Sequence, residues 1–252
     1  MDPVVRLHEE LCVNANPGLR TQVLDGWILR YGGGVTRRAN SVCPLGPSTL
    51  DLDWRIAECE RRYRAQGLPP VFKMAEGMAP GLDTLLEGRG YQKHTGALVM
   101  GMALEGPAPP PEPLDSGACH VSDRDDGGWF DAYFALSGPA DPAKMAVAKA
   151  MRAQVANPAL HGRLEDGGVP VACGLAVLER GHVGLRNIVV GPAWRGRGHG
   201  AALCRALLAE ARRRGARAAW LQVMPDNHAA VGLYRKLGFG VLYPYWYRAG
   251  DP

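Results

Sequence analysis

Residues Asn187 to Gly200 read NIVVGPAWRGRGHG, an apolar run followed by alternating glycines, and the reading of this stretch decides the rest of the chain. The apolar run has the content of a strand. Gly196, Gly198 and Gly200 let the backbone turn tightly and expose its amides without obstruction by a Cβ. In the segment that follows, AALCRALLAEARRRG, Ala202, Leu203, Ala206, Leu207 and Ala211 form one apolar stripe, and the basic end suits a helix C-terminus. A strand, a glycine turn and a helix start therefore meet here, and the free amides and positive dipole end of such a start suit a pyrophosphate. A glycine turn that merely packs closely satisfies the same bare pattern.

Gly196, Gly198 and Ala201 also satisfy the GxGxxA fingerprint of dinucleotide-binding folds. That fold needs further strand–helix units, and only residues 201–252 remain. Gln222 stands where a ribose-binding acid is expected, with Asp226 the nearby substitute. A nicotinamide or flavin enzyme is the weaker reading.

Composition narrows the rest. With 252 residues, 46% hydrophobic and 21% charged, the chain has ample core material for a soluble globular protein of one or two domains. A net charge of +4 spread along the chain lacks the dense basic footprint of a nucleic-acid binder. The 6 cysteines show no metal-ligand spacing, which predicts buried thiols in a reducing compartment and no metal. The start, MDPVVRLHEE, does not read as a secretory signal, and no stretch reaches the length of a membrane span. The expected location is cytoplasmic, with no membrane partner.

The sharpest break is Glu105 to Gly117, EGPAPPPEPLDSG, where prolines fix φ and remove donors, so an extended connector is expected over 105–117. Before it, GWILRY and RRANSV flank Gly32 to Gly34 as the strands of a hairpin would. A helix over Leu52 to Gly67, a PPVFKM strand, a short helix near Leu82 to Gly88 and a strand around Tyr91 to Met102 complete this half. After the connector, the expected order is strand, two helices, three strands, helix, strand, helix, strand. VACGLAVLER and HVGLRNIVV turn at Gly181, and FGVLYPYWYR closes the chain. This is a mixed α/β sheet protein.

The halves echo one another. RRANSVCPLG lies over GLRNIVVGPAW with Asn40 opposite Asn187, each followed by a helix closing on Gly67 or Gly215, and LLEGRGY lies over LYRKLGF. Two related domains are expected.

Arg195 to Gly200 matches the R/Q-x-x-G-x-G/A signature of the GNAT superfamily of N-acetyltransferases, and NHAAVGLYRKLGF resembles its N-x-x-A-x-x-L-Y-x-x-x-G-F signature at Asn227, Ala230, Leu233, Tyr234, Gly238 and Phe239. Two signatures in the right order are far more specific than either alone, and the resemblance covers roughly residues 118–248. It implies a GNAT-like α/β fold, a mostly antiparallel sheet flanked by helices. It further implies acetyl-CoA as cosubstrate, held by the backbone of Ile188, Val189 and Val190 along the pantetheine arm. Arg195, Gly196, Arg197, Gly198, His199, Gly200 and Ala201 would surround the pyrophosphate. Asn227 would touch the cofactor or simply cap its helix. Tyr234 would give a proton to the departing thiolate, against the alternative of a core aromatic.

Residues that GNAT members use as a base find no counterpart: Gly184, Arg186, Asn187 and Gln222 stand at the relevant strand positions. Glu179 and His182 are nearby alternatives, and ordered water is the other route. The first half has PLGPSTLDLD where the glycine loop belongs, Leu86 opposite Tyr234 and roughly Ala79 opposite Asn227. It reads as a degenerate GNAT-like domain at 1–104 without a cofactor loop, beside a catalytic domain at 118–252, giving one cofactor per chain. The acceptor is expected to be a small-molecule primary amine. Trp129, Phe130, Tyr133, Phe134, Tyr243, Tyr245, Trp246 and Tyr247 are its candidate pocket or else core. A protein acetyltransferase and a nonenzymatic acyl-CoA sensor are the alternatives, and the chain is expected to be a monomer or homodimer.

Overall fold

The computed structural model describes residues 1–106, 118–124, 128–139 and 141–250. From residue 107 onward, the proline-rich connector lies outside the described residues.

The opening residues form helix α1 (Pro3–Ala15). Asp2 caps it by accepting from the Val4 and Val5 amides, and Pro3 occupies a first-turn position where its missing N–H costs nothing. Strands β1 (Arg20–Leu24) and β2 (Trp27–Tyr31) are joined by Asp25 and Gly26, both at positive φ (42° and 79°), a turn whose twist matches that of the strands. Next comes β3 (Val42–Pro44), antiparallel to β2. The sequence pattern puts a second strand directly after the triple glycine, but Arg37–Ala39 is a 3-10 turn and pairing begins only at Val42. The reason is Asn40, whose side chain accepts from the Gly32 and Gly34 amides and donates to the Thr36 carbonyl, giving this backbone an alternative to the ladder.

The remaining elements follow in the expected order. They are α2 (Leu52–Arg64), β4 (Val71–Ala75), α3 (Leu82–Gly88), β5 (Gln92–Ala103), β6 (Ala118–Ser122), α4 (Gly128–Ser137) and α5 (Pro142–Ala153). Then come β7 (Ala159–Asp166), β8 (Val169–Glu179), β9 (His182–Val190), α6 (His199–Arg213), β10 (Ala218–Val223), α7 (His228–Lys236) and β11 (Gly240–Ala249).

The chain forms two compact units: Met1–Val99 with Ala146–Ala156 and Leu242–Pro252, and Met100–Met145 with Asn157–Val241. In the first unit the strands run in the order β1, β2, β3, β4, β11, antiparallel except for the parallel pair β3–β4. In the second the order is β10, β9, β8, β7, β6, antiparallel except for the parallel pair β9–β10. Each unit thus contains the same strand–loop–helix–strand–helix sequence, β3-α2-β4-α3 in one and β9-α6-β10-α7 in the other. The architecture is a tandem mixed α/β fold.

In the first unit, Trp27, Leu29, Ile56, Tyr63, Phe72 and Leu86 form one buried cluster, and Cys43, Val71, Val99, Tyr243, Tyr245 and Tyr247 form another. The final-strand tyrosines, candidates for an acceptor pocket on sequence alone, are therefore core: β11 lies beside β4, with Tyr247 facing Lys73. Lys73 and Glu9 form a buried ion pair at 2.6 Å, Tyr243 donates to Glu9 at 3.0 Å, and the Lys73 ammonium stands 4.0 Å from the Tyr245 ring centroid. In the second unit, Gly162 and Gly174 face each other across β7 and β8, and a Cβ on either would meet Leu203 or Leu207 at 3.2 Å or less. These absent side chains let α6 lie close against the strands.

Candidate active site

The site begins with a defect in β9. Its parallel pairing with β10 runs only from His182 opposite Ala218 to Leu185 opposite Leu221. Two residues later Asn187 takes a φ of 50°, and the register with β8 slips, Leu175 facing Arg186 but Cys173 facing Val189. Such a bulge inserts a residue and bends the strand. Beyond it, Ile188, Val189 and Val190 are half-buried, and Val189 and Val190 keep a ladder to β8 only, among the described residues. Their other edge has backbone donors and acceptors to offer an extended ligand. The aligned Asn40 has no such role, since its φ is −131°.

After β9 the chain makes a 3-10 turn at Pro192–Trp194, anchored where the Gly191 amide donates to the Val171 carbonyl at 2.9 Å. Gly196 and Gly198 hold φ values of 77° and 82°, where an added Cβ would meet nothing within 4 Å. Backbone conformation, not crowding, demands glycine at both. Gly200 differs: a Cβ there would lie 3.3 Å from Leu233 and 3.4 Å from Val190, so its role is close packing rather than turning. The same contact brings the edge of β9, the start of α6 and α7 together.

Gly198 caps α6 without any side-chain hydrogen bond, and the amides from Gly196 to Ala201 find no acceptor among the described residues. Unsatisfied N–H groups at the positive end of a helix hold anions. The exposed Arg195 and Arg197 add charge, and Arg195 Nε donates to the Val190 carbonyl at 3.2 Å. His199 is buried on the same face of α6 as Leu203 and Leu207, so it offers the loop its amide rather than its ring. These donors fit a phosphate ester beside an extended amide chain, the chemistry of coenzyme A.

Asn227 caps α7 by accepting from the Ala230 amide at 3.1 Å. Tyr234, on the same helix, is buried with its ring 6.0 Å from that of Phe239. Its hydroxyl has no hydrogen-bond partner among the described residues. Burial, with the Cys204 thiol nearby, pushes the phenol above its ordinary pKa, so it keeps its proton. Burial likewise pushes the Cys204 thiol up to about 12, which leaves it no thiolate for nucleophilic attack.

Glu179 and His182 face each other at the end of the β8–β9 hairpin opposite to Val190. The eight-residue rise between His182 and Val190 is about 26 Å, so both stand at the end of the hairpin far from the glycine loop. Glu179 instead accepts from Asn157 and pairs with Arg180. Among the described residues, no cluster of three or more His, Cys, Asp or Glu is placed to hold a metal ion. No helix among them is long and apolar enough to cross a membrane.

The family model described as probable histone acetyltransferase Rv0428c, C-terminal, matches residues 4–247. The chain belongs to that family. Over 244 residues it is 29% identical to the N-acetyltransferase YobR of Bacillus subtilis, covering 97% of this chain and 98% of the relative. Its fold is similar to that of a GCN5-related N-acetyltransferase from Kribbella flavida, with a TM-score of 0.73 at 17% identity over 100% of this chain and 97% of the other. It is also similar to a tandem GNAT protein from the clavulanic acid biosynthesis pathway, with a TM-score of 0.63 at 16% identity over 78% and 69% of the two chains. This family member is an N-acetyltransferase of the GNAT type, and GNAT acetyltransferases use acetyl-CoA.

Proposed function

We propose that the chain moves an acetyl group from acetyl-CoA to a primary amine of a small molecule by direct attack, with residues 118–252 as the catalytic part and residues 1–104 as a related part without a cofactor loop. One observation carries the reading: the uncapped start of α6, with its glycines at positive φ, lies against both an unpaired strand edge and the helix that bears Tyr234.

Acetyl-CoA supplies an activated acyl group as a thioester. Ile188 to Val190 extend their ladder along the pantetheine arm, and the amides from Gly196 to Ala201, with Arg195 and Arg197, take up the pyrophosphate. Asn227 positions α7. The acceptor nitrogen forms its bond to the acyl carbon as the carbon–sulfur bond breaks, and Tyr234 gives its proton to the sulfur. A group whose pKa is raised by burial holds that proton until the thiolate forms. The proton lost by the amine leaves through water, since neither Arg186 nor Gln222 is a base. On α4, Trp129 and Phe130 are buried while Tyr133 and Phe134 are half-buried with centroids 5.3 Å apart, an aromatic surface suited to a small amine. The free cysteines suit a cytoplasmic setting.

The description of the matched family supports a second acceptor, a protein amine. A thiol-release screen with acetyl-CoA against small amines, aminoglycosides and lysine peptides separates the two. Turnover confined to peptides removes the small-molecule assignment, and no turnover with any amine removes both.

A further inference from the structure

The first unit has its own strand–loop–helix entry, β3, residues 45–51 and α2, and something already occupies it. Asp25, in the β1–β2 turn, accepts from the Thr49 amide at 2.9 and 3.0 Å, from the Thr49 hydroxyl at 3.0 Å and from the Leu50 amide at 2.8 Å. Arg55 Nε stands 3.7 Å from the same carboxylate. The Leu50 amide first, then the Thr49 groups and Arg55, hold its pKa below the usual carboxylate range against the opposing effect of burial. The turn is seated firmly: the Gly46 amide donates to the Gly26 carbonyl at 2.8 Å, and Ser48 donates to the Asp25 carbonyl at 2.7 Å. A Cβ on Gly26 would lie 2.3 Å from the Pro47 carbonyl oxygen. In the first turn of α2, Asp51 takes the Trp54 amide at 2.9 Å.

The second unit has the same hairpin in the same place. β7 and β8 are joined by Gly167 and Gly168 at φ 58° and 79°, between Asp166 and Val169, just as Asp25 and Gly26 join Leu24 and Trp27. The position of Asp25 is therefore a glycine there, and a Cβ on Gly167 or Gly168 would meet nothing within 4 Å. One unit points a carboxylate at the entry of its helix; the other points no side chain at all.

We propose that Asp25 is a built-in anion, which takes the amides at the entry to α2 as a phosphate ester takes those at the entry to α6, and so closes the first unit to acyl-CoA. The comparison with α6 rests on the proposed function, but the occupancy of the α2 entry does not. The chain then binds one coenzyme A.

The test uses the full chain in a Gly198→Val background, in which the α6 entry is disabled, with inorganic pyrophosphate as probe. Replacing Asp25 by glycine suits its positive φ and vacates the amides. The Asp25→Gly, Gly198→Val protein should melt lower than its parent, and pyrophosphate should raise its melting temperature while leaving the parent unmoved. No pyrophosphate-dependent gain overturns the proposal.

Should the double variant fail to fold, Asp25→Asn alone tests the same idea through pH. A carboxylate with a lowered folded pKa stabilises above its unfolded value of about 3.9 and loses that effect as pH falls through the folded value. The wild type should therefore melt higher than Asp25→Asn at pH 7, with the gap closing in acid. A gap that is absent or unchanged by pH overturns the proposal, as does calorimetry showing two coenzyme A molecules per wild-type chain. Undiminished affinity in Gly198→Val alone defeats the α6 assignment instead.

Discussion

The entries to α2 and α6 hold the same place in the same strand–loop–helix–strand–helix pattern, yet their polar groups are satisfied in opposite ways. At α2, Asp51 caps the helix and Asp25 takes the two amides before it. At α6, Gly198 offers no side chain, and a run of amides is left to water or ligand. A helix start leaves several N–H groups unpaired, and leaving them so is costly unless something polar arrives. The first unit meets part of that demand from its own sequence, at Thr49, Leu50 and Trp54, whereas the second leaves its amides open, as the proposed cosubstrate site requires.

The largest effect expected from breaking this difference is at Gly198. Valine there forces a β-branched residue into a left-handed conformation at φ 82° and disorders the amide cradle. Coenzyme A binding by calorimetry should fall below detection while the far-UV spectrum is retained. Tyr234→Phe should come next: turnover falls about 10²–10⁴-fold, the usual range for losing a general acid, while coenzyme A affinity stays within about threefold. Because burial raises the Tyr234 pKa, the wild-type rate should show no loss from this group as pH rises to about 10. A fall that the phenylalanine variant lacks would contradict that.

Two stability changes then sharpen the contrast between the units. β4 carries the buried Lys73 paired with Glu9, whereas β10 reads AAWLQV without a charge. Lys73→Met leaves Glu9 buried without its cation and should lower stability by about 3–5 kcal/mol in chemical denaturation. Asp51→Ala removes one cap from α2 and should cost about 1 kcal/mol, with coenzyme A affinity unchanged. A loss of affinity in that variant would show that the α2 entry also contacts the cosubstrate.

Much of the fold and the site is legible in the chain because it depends on local rules. The alternation of Gly196, Gly198 and Gly200 marks the turn, and the apolar stripe of α6 fixes its helix. Gly181 marks the β8–β9 turn, in which Arg180 and Gly181 both take positive φ. Local pattern fails where a side chain replaces a ladder, as Asn40 does after the triple glycine. It fails again at Gly200, which sequence groups with the turning glycines but which serves close packing. The aromatics of β11 carry no mark of which unit buries them. Glu179 and His182 look close to the loop only until the register places them at the far end of the hairpin.

The sequence by itself determined the tandem pattern, the glycine turn and the helix on which Tyr234 lies, because turn conformation and apolar periodicity are properties of neighbouring residues. Only tertiary structure decided that β9 parts from β10 at Asn187, that β11 lies beside β4, and that Asp25 reaches Thr49 and Leu50. Each of these joins residues distant in sequence, and such pairings are fixed by packing and hydrogen bonding across strands rather than by any local preference.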